Sequence, residues 1–183
     1  THTRNPVDDE HAETADPARR CEVQVVSDPP DLGRGCRRAL ADLDALCIPD
    51  RLAPGRRMMA AGIPWFVALF GRDSIVSGHQ ARAFLPGQIM DTLWALAARQ
   101  GQVTDPGNEE APGKILHEVR LTRRPWLGEG TAAGVRPYYG TVDATPLWVI
   151  LYGTAMRWGA SRDALTGLLP AARAAMDWMR GPG

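Results

Sequence analysis

The sequence predicts an all-α fold, an array of helical hairpins in layers or a toroid, and three observations carry that reading. Apolar residues recur at steps of three and four through much of the chain after residue 30, the period of a helix with one buried stripe. Prolines and glycines cut these stretches into about six helices. The acids and the non-periodic aromatics fall in the loops between them, so neighbouring helices would bury one another and collect polar residues at their ends.

Each element follows from local rules. Residues 1–18 are polar and show no period, as expected of a tail or linker. Residues 21–26 alternate weakly through Val23, Val25 and Val26, a single strand ahead of Pro29-Pro30. With no partner strand in sight, residues 1–30 read as a linker or the end of an upstream β domain. Helical spacing starts at Asp31, through Leu32, Cys36, Leu40, Leu43 and Leu46, and should stop before Pro49. Residues 58–70 are small and apolar and predict a buried connection into a helix that begins at Arg72 or Asp73 and runs to Phe84. Pro86 starts another helix to Arg99, with Ile89, Leu93, Leu96 and Ala97 inward and Gly101 as its stop.

The second half is more irregular. Residues 103–113 form a polar loop that includes Glu109-Glu110, residues 114–120 alternate partially through Ile115, His117 and Val119, and residues 121–137 are a long irregular loop. Thr145 reads as an N-cap and Pro146 as the first helical residue, because the residue before a proline is pushed out of the helical region. Ser161 then caps a short helix, and Pro170 begins a last one through Arg180.

Composition narrows the functional classes. With 183 residues, 44% hydrophobic and 23% charged, the chain has material for one well-filled core. Its 21 acidic and 21 basic residues cancel, which leaves no electrostatic footprint for nucleic acid or an anionic membrane. The two most apolar runs, residues 60–70 and 144–156, are shorter than the ~18–20 residues of a membrane span. Cys21, Cys36 and Cys47 are widely spaced and form no Cys-x-x-Cys pair, which points away from zinc and disulfides and toward a reducing, cytoplasmic compartment. His117-Glu118 lacks the second histidine of a metalloprotease helix, since Leu121 stands in that place, so no metal is expected. Nor is a cofactor, for there is neither a Gly-rich phosphate loop nor a Gly-x-Ser-x-Gly elbow.

The candidate chemistry gathers on Tyr138-Tyr139-Gly140-Thr141-Val142-Asp143-Ala144-Thr145-Pro146-Leu147-Trp148. One acid stands behind two tyrosines in a loop that feeds a helix. A pocket of Val142, Tyr139 and Trp148 would desolvate Asp143 and raise its pKa, as a general acid near neutral pH requires; a solvent-exposed turn aspartate is the other reading of the same residues. Tyr138, Tyr139 and Trp148 are the substrate-binding aromatics this reading supplies. Arg72 and Asp73 offer a donor fork and an acceptor pair suited to vicinal hydroxyls, with Trp65 as a stacking face; equally, Asp73 is an acid favoured at a helix start with Arg72 as its partner. Glu118 reads as a hydroxyl acceptor or as the ion-pair partner of a nearby arginine. Trp94, Trp158 and Trp178 sit at helical positions and read as core, whereas Trp65, Trp126 and Trp148 lie in or beside the acid-bearing loops.

Four segments in one order carry a resemblance. Gly62-Ile63-Pro64-Trp65-Phe66, Phe70-Gly71-Arg72-Asp73-Ser74, Gly113-Lys114-Ile115-Leu116-His117-Glu118-Val119-Arg120 and Tyr138 through Leu147 resemble the glycogen debranching enzyme (amylo-α-1,6-glucosidase-like) family of six-hairpin α/α-barrel glycosidases. The likeness covers roughly residues 31–183. It implies inverting hydrolysis of an α-glucosidic bond in an oligosaccharide or small α-glucoside, by two carboxyl groups ~6.5–9.5 Å apart. It implies Asp143 as the general acid, Trp65, Arg72 and Asp73 as the floor that holds the terminal glucose, and Glu118 as a supporting carboxylate. It also implies that residues 31–183 are the first half of a truncated barrel, inactive alone, with the general base in the other half and an exposed half-barrel face open to association. A non-catalytic helical carbohydrate-binding or scaffold module is the alternative.

Overall fold

The computed structural model describes residues 26, 28, 30–64, 66–120 and 137–181, and these build a mixed α and β fold. Five helices run in order: α1 (Pro30–Leu46), α2 (Gly71–Ala81), α3 (Pro86–Ala97), α4 (Ala144–Arg157) and α5 (Arg162–Arg180). Two antiparallel two-stranded sheets accompany them. β1 (Cys47–Pro49) pairs with β2 (Arg57–Met59), and β3 (Ala68–Phe70) pairs with β4 (Glu118–Arg120). Among the described residues no barrel closes, so the expected all-α partial six-hairpin barrel is corrected to helices packed with two small sheets. β4 falls within residues 114–120, whose partial alternation was legible, whereas the other strands escape a periodicity reading because each is three residues long, too short for alternation to register. β3 and the last two residues of β2 lie in the apolar residues 58–70, where Met58, Met59, Ala68 and Leu69 are all buried.

Helix boundaries also move, and α2 ends at Ala81 where Phe84 was expected. α5 is continuous across Pro170, where two helices were expected. Leu168, Ala172 and Ala175 are buried at steps of four and three along it, and that shared stripe outweighs the one backbone hydrogen bond the proline removes. α4 starts two residues before Pro146, so Asp143, not Thr145, holds the N-cap position. Thr145 is drawn into the first turn by a buried bond, its hydroxyl accepting the amide of Ile115 at 2.9 Å. The expected strand over residues 21–26 lies outside the described residues except for Val26, which is exposed.

α3 stands at the centre and packs on α2, α4 and α5. Leu93 and Leu96 of α3 meet Leu69, Ile115, Leu116, Trp148, Leu151 and Leu168, all fully buried; each contributes roughly 1.5–3 kcal/mol by leaving water. A buried ion pair closes one end of this core. The Arg99 guanidinium grips the Asp50 carboxylate with two bonds, 2.6 and 2.9 Å, and the two side chains are 6% and 0% exposed. The phenol of Tyr139 donates to the carbonyl of Arg99 at 2.7 Å, which fastens the loop before α4 to the end of α3. No helix among the described residues is long and apolar enough to cross a membrane.

Candidate functional site

The site is made by three chain segments that only a glycine lets converge. A Cβ on Gly71 would stand 2.2 Å from the carbonyl oxygen of Leu116 and 3.2 Å from the Cβ of Ala144. The first residue of α2 is therefore pressed against both the segment leading to β4 and the first residue of α4. The Gly71 amide donates to the carbonyl of His117 at 2.8 Å and fixes this junction. Arg72 and Asp143, 71 residues apart in sequence, face each other across it with Nη1 3.2 Å from Oδ2.

Asp143 occupies the N-cap position of α4 but makes no side-chain cap bond. Its carboxylate turns instead to the Thr141 hydroxyl, which donates to Oδ1, and to Arg72 on Oδ2. Those two donors set its charge. The Thr141 bond foremost, with the Arg72 bond and charge, outweighs partial burial and holds the carboxyl below the usual aspartate range. The expected raised pKa is thus corrected. The pocket that was to shelter it is also different: Val142 is 79% exposed, and Trp148 and Tyr139 are 0% and 3% exposed.

Trp148 and Tyr139 therefore belong to the core. The Trp148 indole donates to the carbonyl of Leu93 at 3.1 Å and stacks on Tyr152, with ring centres 5.9 Å apart. Neither Trp148 nor Tyr139 offers a face to a ligand, which corrects their expected role as substrate-binding aromatics. Burial pushes the Tyr139 phenol up to about 12, so it stays protonated as the donor to Arg99. Asp73 is exposed in the first turn of α2, where the helix N-terminus favours an acid. Glu118 begins β4, opposite Phe70 in register, and is bridged by its backbone to Tyr138. Trp65 and Trp126 lie outside the described residues.

Tyr138 remains at the surface, 39% exposed, beside the junction. Its ring meets the edge of His117 at 5.9 Å, and His117 meets Phe70 at 5.8 Å, so three rings step from the Tyr138 loop to the residue before Gly71. Two site residues went unread in the sequence. Thr141 bonds the carboxylate two residues ahead of it, a spacing at which Ser and Thr hydroxyls often engage nearby groups. Glu109 accepts the Tyr138 hydroxyl at 2.8 Å from a loop that looked merely polar.

One buried thiol is committed elsewhere. The Cys47 thiol, pushed by burial up to about 11, donates to Gln88 and the carbonyl of Leu43 and is no nucleophile. Chemically, the junction can hold a ligand's hydroxyls between a guanidinium and a carboxylate. No family model matches the chain, and neither does any curated protein.

Proposed function

We propose that this chain binds α-glucosides and supplies the general acid for their hydrolysis, with Arg72 and Asp143 at the terminal glucose and Asp143 as that acid. The observation that carries the reading is the Arg72–Asp143 pair itself: a donor fork and an acceptor held 3.2 Å apart, both part-exposed, at the joined starts of two helices. Planar carboxylate and guanidinium groups of this kind match vicinal sugar hydroxyls. The four segment motifs that resemble the debranching-type glycosidases supply the reaction class.

In the free protein Asp143 is ionised and cannot donate a proton. A sugar that draws the Arg72 fork onto its own hydroxyls removes a cation from Asp143 and excludes water around it, and both changes raise its pKa. Protonated Asp143 then gives its proton to the glycosidic oxygen as the bond from that oxygen to the anomeric carbon breaks. Water adds to the opposite face of that carbon and loses its proton to a second carboxylate.

One observation favours the second reading, a carbohydrate-binding module: an aspartate held ionised is already suited to accept hydroxyl bonds without any proton transfer. The test takes both. Titration of the protein with methyl α-glucoside and isomaltose by NMR should show binding, with the Asp143 carboxyl pKa raised in the complex and no β-glucose released by the chain alone. Asp143→Asn should still bind. Binding that leaves Asp143 ionised selects the binding module, and absence of binding rejects both readings.

A further inference from the structure

We propose that Glu109 and Tyr138 form a second sugar subsite beside Asp143, one that recognises the leaving group of the α-glucoside and selects a neutral, hydroxylated acceptor over an anionic one. This rests on the α-glucoside reading above and adds to it the class of acceptor. Three observations converge on the pair.

The Tyr138 ring is exposed yet held. Its phenol end lies on Gly140, where a Cβ would come within 2.0 Å of the hydroxyl oxygen and 2.2 Å of Cζ, so any side chain there would lift it. The edge of His117 supports it, and its own carbonyl receives the amides of His117 and Glu118 at 2.7 and 3.2 Å. A fixed, exposed aromatic ring is the surface on which the apolar face of a sugar packs at little entropic cost.

Glu109 is positioned as firmly. It is the one non-glycine among the described residues with a positive φ, 58°, a conformation that a glutamate adopts only when its surroundings impose it. Reciprocal backbone bonds between Asp105 and Glu110, both 3.0 Å, close the turn around it. The buried Lys114 ammonium bonds its carbonyl at 3.0 Å and is held 5.7 Å from the Trp178 ring. These contacts take the main chain of Glu109 and leave its carboxylate pointing to Tyr138. The phenol occupies one carboxylate oxygen at 2.8 Å, and the geometry of a carboxylate leaves further lone pairs for a ligand hydroxyl.

The pair also sits in the right place. Gly140, beneath the ring, leads through Thr141 to the Asp143 carboxylate, and Thr141 donates to that carboxylate. An acceptor ring leaving the glucose at Asp143 would meet an aromatic face and a hydroxyl acceptor with a negative charge. Neutral sugars satisfy that combination, whereas a carboxylated or phosphorylated aglycone is repelled by Glu109.

The experiment measures dissociation constants of three ligands by calorimetry: methyl α-glucoside, isomaltose and an α-glucoside with a carboxylated aglycone. The wild-type chain should favour isomaltose over methyl α-glucoside by about tenfold and over the acid by more. In Glu109→Gln, which keeps an oxygen for Tyr138, the isomaltose preference should fall to about twofold, and the acid should gain about fivefold relative to isomaltose. Tyr138→Ala should abolish the isomaltose preference while the melting temperature stays within a few degrees of wild type. Unchanged ligand ratios in Glu109→Gln overturn the subsite. Binding of methyl α-glucoside that Arg72→Ala leaves at wild-type strength overturns the underlying glucose site instead, and no binding of any ligand overturns both.

Discussion

Two arginine–aspartate pairs in this protein use the same chemistry at opposite extents of burial. Arg99 and Asp50 are 6% and 0% exposed and joined by two bonds; Arg72 and Asp143 are 58% and 38% exposed and joined by one. The first cannot lose a partner without leaving a charge in the core, so it has only a structural use. The second is worth little to stability and can trade its partner for a ligand. Burial, rather than residue type, separates the scaffold from the site.

The sharpest way to break that comparison is to remove one half of the buried pair. Asp50→Asn should cost about 3–5 kcal/mol, read by urea unfolding, because Arg99 is left uncompensated. Replacing both partners with apolar residues, Asp50→Leu with Arg99→Met, should cost much less than the sum of the single changes. The pair also has a pH signature. Burial pushes the Asp50 carboxyl up, but the Arg99 fork and the Leu52 amide outweigh it and leave the value lowered in the folded state. A lowered folded value means stability that is present above the unfolded value of about 3.9 and is lost as pH falls through the folded one. Acid unfolding below about pH 4 should therefore be steeper in the wild-type protein than in Asp50→Asn.

Smaller effects sharpen the contrast. Tyr139→Phe removes the buried donor to Arg99 and should cost about 1–3 kcal/mol, since the carbonyl is left unsatisfied. Arg72→Ala should change stability by no more than about 1 kcal/mol yet weaken sugar binding at least tenfold. Thr141→Val should leave melting nearly unchanged and raise the Asp143 pKa, because the hydroxyl is the largest influence holding it down.

The helices were legible where period and punctuation agreed. Pro86 starts α3 as expected, and Leu93 and Leu96 point inward. The all-α reading failed on β1, β2 and β3, which carry no period of their own, and the helix count failed at Pro170, where packing overrides a local breaker. Trp148 was given the wrong role although its signal was present: Ala144, Trp148, Leu151 and Ala155 are buried at helical steps, so the residue belongs to the inward stripe of α4 and offers no face to a ligand. Asp143 and Arg72 were each visible as candidates. Their contact was not, because it depends on Gly71 seating two helix starts together, and no local pattern encodes a meeting across 71 residues. The lowered pKa of Asp143 comes first from the Thr141 hydroxyl and then from that contact.

The most direct measurement is the titration of the Asp143 carboxyl carbon by NMR, in the free protein and again with saturating methyl α-glucoside. The exchange of Arg72 from carboxylate to sugar requires a value below the ordinary aspartate range in the free protein and a clear rise when the sugar is bound. A titration curve that saturating sugar leaves unmoved would contradict it.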